Sequence, residues 1–289
     1  MRQIAQWQAD DAHYVSSLCF TADGALLLSG LLGGAIKLWD TGTWRQAGSL
    51  EGHTKSASGL AAGPDNDLIA SGSSDQTVRL WSLAQGRTLH VLQDRKQVVP
   101  AVAISADGAQ VAAVSYGGRL AVWTRDGEPV LGVKAAPKNL ASVQFSPDGA
   151  LIAVAGLGGT ISVLGLPGGE QIAARQVDAA AAGSLAFLEG GRLLAALGYA
   201  GRVRFWESGT WKLVREEDAR GARGVTFAPD GRTAALAQEG RVELVDVQSW
   251  SVRARLEAPS KAVSALAFAP GGARLAVASG DGAITIFEG

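Results

Sequence analysis

The residue types of a nucleophilic triad occur together in one segment of the chain, at His53, Ser71 and Asp75. In such a triad the serine attacks a carbonyl, the histidine accepts its proton and the aspartate orients the histidine. Trp81 follows in the same segment and adds an indole N–H, a donor that has no part in triad chemistry. A hydrolytic site and a structural hydrogen-bonded cluster are therefore both consistent with these residues. The choice between these two interpretations depends on the strands and turns that position the four side chains.

Other patterns that carry chemistry are missing from the sequence. The three histidines, His13, His53 and His90, show no metal-ligand spacing with cysteine or glutamate. The Gly-Gly pairs are not followed by Lys-Ser or Lys-Thr, as a phosphate-binding loop requires. The aspartates of the Pro-Asp-Gly turns recur as turn formers and not as paired acids. We therefore predict no metal, no cofactor and no catalytic residue.

One pattern of short apolar stretches and tight turns recurs seven times along the chain. Each repeat ends on a bulky apolar residue, and these residues are 39 to 42 positions apart: Trp39, Trp81, Trp123, Leu164, Trp206, Val245 and Phe287. Apolar and polar residues alternate in the stretches, which is typical of strands with two different faces. A repeat of this length built only from strands predicts an all-β fold, a seven-bladed β-propeller with four antiparallel strands per blade.

The last repeat ends after its third strand, so blade 7 needs a fourth strand from elsewhere in the chain. One period before the fourth strand of blade 1 lie residues 2–8, in which apolar and polar residues alternate. We predict that this segment is the outer strand of blade 7 and closes the ring, and the alternative is a disordered start. The expected result is a single domain, 1–289, that stands alone, with blades at approximately 14–51, 56–93, 98–134, 139–177, 181–216, 221–257 and 262–289.

The second repeat resembles the WD-repeat (WD40) β-propeller family, and the resemblance extends over the whole chain. In that family a histidine before the inner strand, a serine on the second strand, an aspartate in the next turn and a tryptophan on the third strand form a hydrogen-bonded chain. The matching positions hold His53, Ser71, Asp75 and Trp81, whereas the other repeats keep the period and lose most of these polar residues. The resemblance implies a structural network, with Ser71 inside a blade and closed to substrate.

In WD-repeat proteins the top face carries the loops before the inner strands and the turns between second and third strands. Alignment of the repeats places all three tyrosines there, with other apolar residues and a basic rim. The predicted partner-binding residues are Tyr14, Leu32, Val98, Tyr116, Leu157 and Tyr199, with Lys55, Lys138, Arg220 and Lys261 as the rim. Tyrosine combines broad apolar area with one polar group, so we predict a protein or peptide partner with an apolar anchor and acidic character. The alternative is that these are ordinary exposed turn residues.

Two classes of function stay open at this point. One is a non-catalytic scaffold for protein–protein interaction, and the other is a propeller enzyme or small-ligand binder with a site at the mouth of the central channel. The inner strands contain almost no titratable residue, which favours the scaffold. The outer rim is a further candidate surface because Trp44, Trp211 and Trp250 recur there, although packing of these indoles over the neighbouring hairpin is the favoured interpretation.

The composition indicates the environment in which the chain works. The net charge is −1 and no basic stripe occurs, so we predict no nucleic-acid partner. A single cysteine, the lack of an apolar leader and the lack of any apolar run near 18 residues favour the cytoplasm, without membrane contact. We also expect a monomer. The abundance of Ala, Gly, Leu and Arg suggests a bacterial protein from a GC-rich genome.

Overall fold

Seven four-stranded antiparallel sheets, arranged in a ring, make up the protein. The computed structural model describes residues 1–9, 14–137, 139–179, 181–260 and 262–289. Within these ranges the sheets contain 28 strands, and each sheet is one blade. The predicted seven-bladed β-propeller is confirmed. No helix in the same ranges is long and apolar enough to cross a bilayer.

The first strand along the chain belongs to the last blade, and three complete blades follow it. This first strand is β1 (Arg2–Gln8). Blade 1 contains β2 (Val15–Phe20), β3 (Leu26–Leu31), β4 (Ile36–Asp40) and β5 (Gln46–Leu50). Blade 2 contains β6 (Ala57–Ala62), β7 (Leu68–Ser73), β8 (Val78–Ser82) and β9 (Arg87–Leu92). Blade 3 contains β10 (Ala101–Ile104), β11 (Gln110–Val114), β12 (Arg119–Thr124) and β13 (Pro129–Lys134).

The remaining four blades continue in the same order. Blade 4 contains β14 (Leu140–Phe145), β15 (Leu151–Gly156), β16 (Thr160–Gly165) and β17 (Gln171–Gln176). Blade 5 contains β18 (Ala182–Leu188), a short 3-10 helix (Glu189–Gly191), β19 (Leu193–Gly198), β20 (Arg202–Glu207) and β21 (Leu213–Asp218), which runs past the approximate end at 216 expected for this blade. Blade 6 contains β22 (Gly224–Phe227), β23 (Thr233–Gln238), β24 (Arg241–Asp246) and β25 (Val252–Glu257). Blade 7 contains β26 (Val263–Phe268), β27 (Arg274–Ser279) and β28 (Ala283–Glu288), together with β1.

The hydrophobic core lies between neighbouring blades. Leu28 and Ile36 of blade 1, for example, pack in one cluster with Ile69 and Trp81 of blade 2. All six residues of β7 are buried, because the sheet is covered on both faces. Burial of apolar surface stabilises a protein by about 25 cal/mol for each Å² removed from water. Because most of this burial occurs between blades, these interfaces contribute much of the folding free energy.

Small residues let the blades approach each other closely. A Cβ atom on Gly30 of β3 would lie 2.3 Å from the carbonyl oxygen of Ala57 in blade 2, which is far inside van der Waals contact. A larger residue at this position would push blades 1 and 2 apart. The high glycine content of the chain is therefore partly a packing requirement.

Strand β1 closes the ring. It pairs antiparallel with β28, beginning with Arg2 opposite Glu288, and completes the four-stranded sheet of blade 7. Its Trp7 also contacts blade 1, with ring centroids 5.1 Å from Trp39 and 5.7 Å from Trp44. The predicted closure by the first segment of the chain is confirmed. One strand thus links the last blade to the first.

Candidate functional site

Four polar side chains of blade 2 form a continuous hydrogen-bonded chain. His53 lies in the loop that leads into β6, and its Nδ1 is 2.8 Å from Asp75 Oδ2. Its Nε2 is 2.7 Å from Ser71 Oγ on β7. The indole Nε1–H of Trp81 on β8 donates to the same Ser71 oxygen at 2.8 Å. The chain therefore ties the entry loop of the blade to its second and third strands.

One protonation pattern satisfies every member of this network. A neutral His53 with its proton on Nδ1 donates to Asp75, and its Nε2 accepts from the Ser71 hydroxyl. The Ser71 oxygen in turn accepts from Trp81. A second proton, on Nε2, would turn that nitrogen into a donor and leave the Ser71 hydroxyl without its acceptor in the network. The hydrogen bonding itself thus favours the neutral ring.

Burial and hydrogen bonding shift the pKa values of both His53 and Asp75. Burial lowers the pKa of His53 from its ordinary value of 6.5, and this effect exceeds the opposing influence of Asp75. Burial alone would raise the pKa of Asp75, but hydrogen bonds from Thr77, His53 and the Thr54 N–H lower it from 3.8 to about 2. At neutral pH the pair is a neutral imidazole beside a carboxylate.

The geometry leaves Ser71 no access to a substrate. Ser71 has no exposed surface, and its oxygen already contacts both His53 and Trp81. A nucleophilic serine must instead present its oxygen to a carbonyl in an open cleft. These side chains therefore stabilise the blade and do not form a working triad.

The top face of the ring carries most of the exposed apolar side chains. Nine large apolar residues of the described ranges are exposed, and five of them lie on this face: Tyr14, Leu32, Tyr116, Leu157 and Tyr199. Their exposed fractions run from 39% to 55%. The sixth residue expected here, Val98, is half-buried. The other four exposed residues, Val91, Ile172, Leu213 and Val214, lie on outer strands.

Three of the exposed side chains share one groove. Tyr116, Leu157 and Tyr199, from blades 3, 4 and 5, line a cavity of about 270 Å³. Leu140 and Ala182 at the beginnings of two inner strands also line it. The lining is largely apolar, so the groove suits a bulky apolar side chain. We call this cavity the top-face groove.

Tyr14 and Leu32 lie apart from the top-face groove. The Leu32 N–H donates to the Tyr14 carbonyl at 2.9 Å, so the two residues are neighbours. The Tyr14 ring lies against Gly280 of blade 7, where an added Cβ would be 3.2 Å from the ring. The structure thus gathers three of the six predicted apolar residues into the groove and places Tyr14, Leu32 and Val98 outside it.

The predicted basic rim is uneven. Lys55 is exposed to solvent. Arg220 is also exposed, but its Nε lies 3.9 Å from a carboxylate oxygen of the buried Glu243, and its Nη2 donates to the Trp250 carbonyl at 3.2 Å. The guanidinium of Arg220 is therefore partly engaged with groups of the protein itself and is less available to a partner. The two other predicted rim residues, Lys138 and Lys261, lie outside the described residues.

The central channel has a cavity of about 430 Å³ near the top face. It is lined mainly by Ser, Gly, Ala, Val and Leu at the beginnings of the inner strands. Among the described residues that line it, Arg223 is the only titratable side chain. Arg223 was not among the predicted site residues, although its place directly before the inner strand β22 was a sequence signal of the channel mouth.

Comparison with known proteins identifies the repeat. The family model of the WD domain, G-beta repeat (WD40), matches residues 3–40, 44–82, 128–163 and 250–288, which together make up more than half of the chain. The chain belongs to the WD40 family. WD40 propellers are typically scaffolds for protein interaction and are generally not enzymes.

The proteins to which this WD40 chain is similar are related to it at low sequence identity. Telomerase protein component 1 of Mus musculus is 26% identical over 278 residues, and that of Rattus norvegicus 27% identical over 279 residues; each alignment covers 91% of this chain and 10% of that protein. The chain therefore spans about a tenth of these relatives. The Cps50 (Swd1) β-propeller domain of Myceliophteria thermophila superposes with a TM-score of 0.86 at 18% identity, over 99% of this chain and 100% of that one.

A third sequence relative is shorter. The WD repeat-containing protein SL1-17 of Schistosoma mansoni is 27% identical over 141 residues, which are 49% of this chain and 47% of that protein. All of these organisms are eukaryotes, so the relatives do not bear out the bacterial origin suggested by composition.

Blade 5 of this WD40 propeller replaces the usual network with another acid. Asp178 precedes the inner strand by four residues, as His53 does in blade 2, while Ala200 occupies the position that corresponds to Asp75. The carboxylate of Asp178 accepts a hydrogen bond from the Ala200 N–H. The acid thus comes from the entry loop and not from the turn. An aspartate at the histidine position was the sequence signal, and it was missed.

The tryptophans of the outer rim are mostly packed against the protein. Trp211 and Trp250 are each 4% exposed, and Trp44 is half-buried against Trp7. The Trp250 Nε1–H donates to the Asp218 carbonyl of the neighbouring blade at 2.8 Å. These indoles therefore join the outer edges of adjacent blades.

The His53–Asp75 pair makes stability dependent on pH. The pKa of His53 in the folded protein lies below 6.5. Its stabilising contribution to the free energy of unfolding is therefore fully present above pH 6.5, and it is lost as the pH falls through the pKa of the folded protein. The contribution of Asp75 is present above pH 3.8 and is lost as pH falls toward about 2. The pKa shift of Asp75 corresponds to at most about 2.5 kcal/mol of unfolding free energy, and solvent screening reduces it to about 1 kcal/mol.

Urea denaturation of the wild type and of Asp75→Asn at a series of pH values from 7 to 3 measures this effect. We expect the two stability curves to converge as the solution is acidified below pH 3.8, because the wild type alone loses the carboxylate. Other aspartates titrate equally in both proteins and cancel in the difference. Parallel curves over the whole range would show that Asp75 carries no such contribution.

Proposed function

We propose that this WD40 propeller is a non-catalytic scaffold whose top face binds a peptide or protein segment. One observation carries the proposal: Tyr116, Leu157 and Tyr199 come from three different blades and yet line one groove, while each remains about half exposed. Exposed tyrosines clustered around a cavity suit partner binding, because they supply large contact area at low entropic cost. Lys55 adds a positive charge on the same face.

The alternative, an enzyme or small-ligand binder at the channel mouth, has weaker support. Acid–base or nucleophilic catalysis needs at least two groups placed within reach of each other and of a substrate. The described lining of the channel cavity offers Arg223 alone, surrounded by hydroxyl and aliphatic side chains. A single cation can bind but cannot relay a proton. The residues that line the channel cavity therefore support binding of a partner better than they support catalysis.

We also propose that residues 1–289 act as one propeller domain, as a monomer, in a reducing compartment such as the cytoplasm. The single cysteine, Cys19, fits this location, because one cysteine cannot form a disulfide within the chain. Nucleic acid is a poor partner for a chain with a net charge of −1. The partner class is therefore protein.

A triple variant tests the top face. We expect Tyr14→Ala/Tyr116→Ala/Tyr199→Ala to weaken capture of bound proteins by about tenfold or more in a quantitative affinity pull-down, since tyrosines dominate such interfaces. The melting temperature should change little, because exposed side chains contribute little to folding.

The matched control removes apolar surface elsewhere. Val91→Ala/Leu213→Ala/Val214→Ala truncates three outer-strand residues that are each more than 50% exposed. This control should retain the partners of the wild type. Identical partner recoveries for the tyrosine variant and the wild type would remove the top face as the binding surface.

A further inference from the structure

Arg223 is fixed at the mouth of the channel by its own backbone. It directly precedes β22 of blade 6, and its N–H donates to the Ala237 carbonyl of β23 at 2.9 Å. Its side chain is exposed, and it borders the channel cavity. The backbone bond makes the point of attachment rigid, while the guanidinium remains open to solvent.

The guanidinium of Arg223 has no carboxylate partner within the described ranges. Other arginines of blades 5 and 6 are used internally: Arg204 pairs with Glu216 at 2.5 Å, and Arg255 pairs with the buried Glu243 at 2.9 Å. No ion pair or side-chain hydrogen bond joins Arg223 to any described residue. Its five N–H donors are therefore free for an external acceptor.

Tyr199 connects Arg223 to the top-face groove. Tyr199 lines that groove together with Tyr116 and Leu157. It also lines a second cavity, of about 320 Å³, together with Arg223. An apolar cavity and a cavity with an unpaired cation therefore meet at one tyrosine ring. A single extended segment can occupy both.

We propose that the bound segment places a bulky apolar side chain in the top-face groove and, a few residues away, the carboxylate of an Asp or Glu side chain on Arg223. This inference rests on the proposed function and specifies its partner. A guanidinium binds a carboxylate through two parallel hydrogen bonds, which fixes orientation as well as charge. Tyr199 lines the same cavity as Arg223, so an apolar part of the segment can pack on its ring beside the ion pair.

A side-chain carboxylate fits this site better than a phosphate group does. Phosphorylated motifs are normally held by clusters of arginines, because the group carries nearly two charges. Among the described residues, the two cavities that meet at Tyr199 are lined by one arginine and no other cationic side chain. One planar cation matches one carboxylate, and the charge is then balanced.

A peptide library tests the inference without a known partner. Random 12-residue peptides, displayed with their C-termini joined to the carrier, are selected on the immobilised full chain and counter-selected on Tyr116→Ala/Tyr199→Ala. We expect the recovered peptides to share a bulky apolar residue and an Asp or Glu at a constant spacing. Their synthetic forms should bind equally with free or amidated C-termini in fluorescence anisotropy.

Charge reversal then isolates Arg223. Arg223→Glu should weaken binding of these peptides by about tenfold or more, and replacing the peptide acid by lysine should restore binding to that variant. Arg45→Glu is the control, because Arg45 is exposed in a turn on the opposite face and gives the same change in net charge.

The outcomes separate the two proposals. Peptides that depend on Tyr116 and Tyr199 but show no acidic preference, or that bind Arg223→Glu and Arg45→Glu equally, overturn the role of Arg223 and leave the scaffold function intact. If no recovered peptide depends on the two tyrosines, the top-face function itself fails.

Discussion

Removing residues 1–8 is expected to lower the melting temperature of the protein by about 10 °C, because the loss of a whole strand and of Trp7 costs several kcal/mol in a domain of this size. Trp7 contacts Trp39 and Trp44 of blade 1, while the backbone of β1 pairs with β28 of blade 7. The deletion therefore breaks the contact between the first and last blades at two levels, the sheet and the side chains.

The same truncation should make the chain self-associate. Without β1, the N–H and C=O groups of β28 form an open sheet edge that can pair with another chain. Differential scanning calorimetry and light scattering measure the two effects.

A point variant and a neutral control refine this test. Trp7→Ala keeps the strand and should account for a substantial part of the loss, since it removes the aromatic contacts alone. Arg2→Ala/Gln8→Ala changes two exposed residues of the same strand and should leave the melting temperature within about 1 °C. An unchanged melting temperature after the eight-residue deletion contradicts closure of the ring by β1 as a source of stability.

Substituting His53 by alanine is expected to cost about 3 kcal/mol of unfolding free energy, because a buried partner of both a carboxylate and a hydroxyl disappears. Asp75 keeps its bond from the Thr77 hydroxyl at 2.6 Å, but it loses the imidazole. Ser71 retains the indole of Trp81 and loses its acceptor. Urea denaturation followed by tryptophan fluorescence measures the change.

His90→Ala is the matched control for this variant. His90 lies on β9 of the same blade and is half-buried, and its side chain takes no part in the network of His53. Its loss should cost clearly less than that of His53. Capture of partners should be the same for both variants, because the network lies inside the blade. A His53→Ala protein with full stability and lost binding would reverse the structural interpretation.

The sequence by itself determined the architecture of this protein. The spacing of Trp39, Trp81 and their counterparts sets the period, and the alternation of residues 2–8 identifies the closing strand. Both features are local, since a strand needs only alternation and a turn needs only its own few residues. The four-residue network of blade 2 was also readable, because its positions in one repeat are fixed relative to that repeat's strands.

Only the tertiary structure decided which top-face side chains work together. Alignment of the seven repeats gives Tyr14, Tyr116 and Tyr199 equivalent positions on the top face. In the structure, however, Tyr199 shares a groove with Tyr116, while Tyr14 lies against Gly280. Likewise the guanidinium of Arg220 lies near the buried Glu243, whereas Arg223, three residues later, lines the mouth of the channel. The physical reason is that contacts between blades depend on loop conformation and side-chain direction, and these are set by neighbours far away in the sequence.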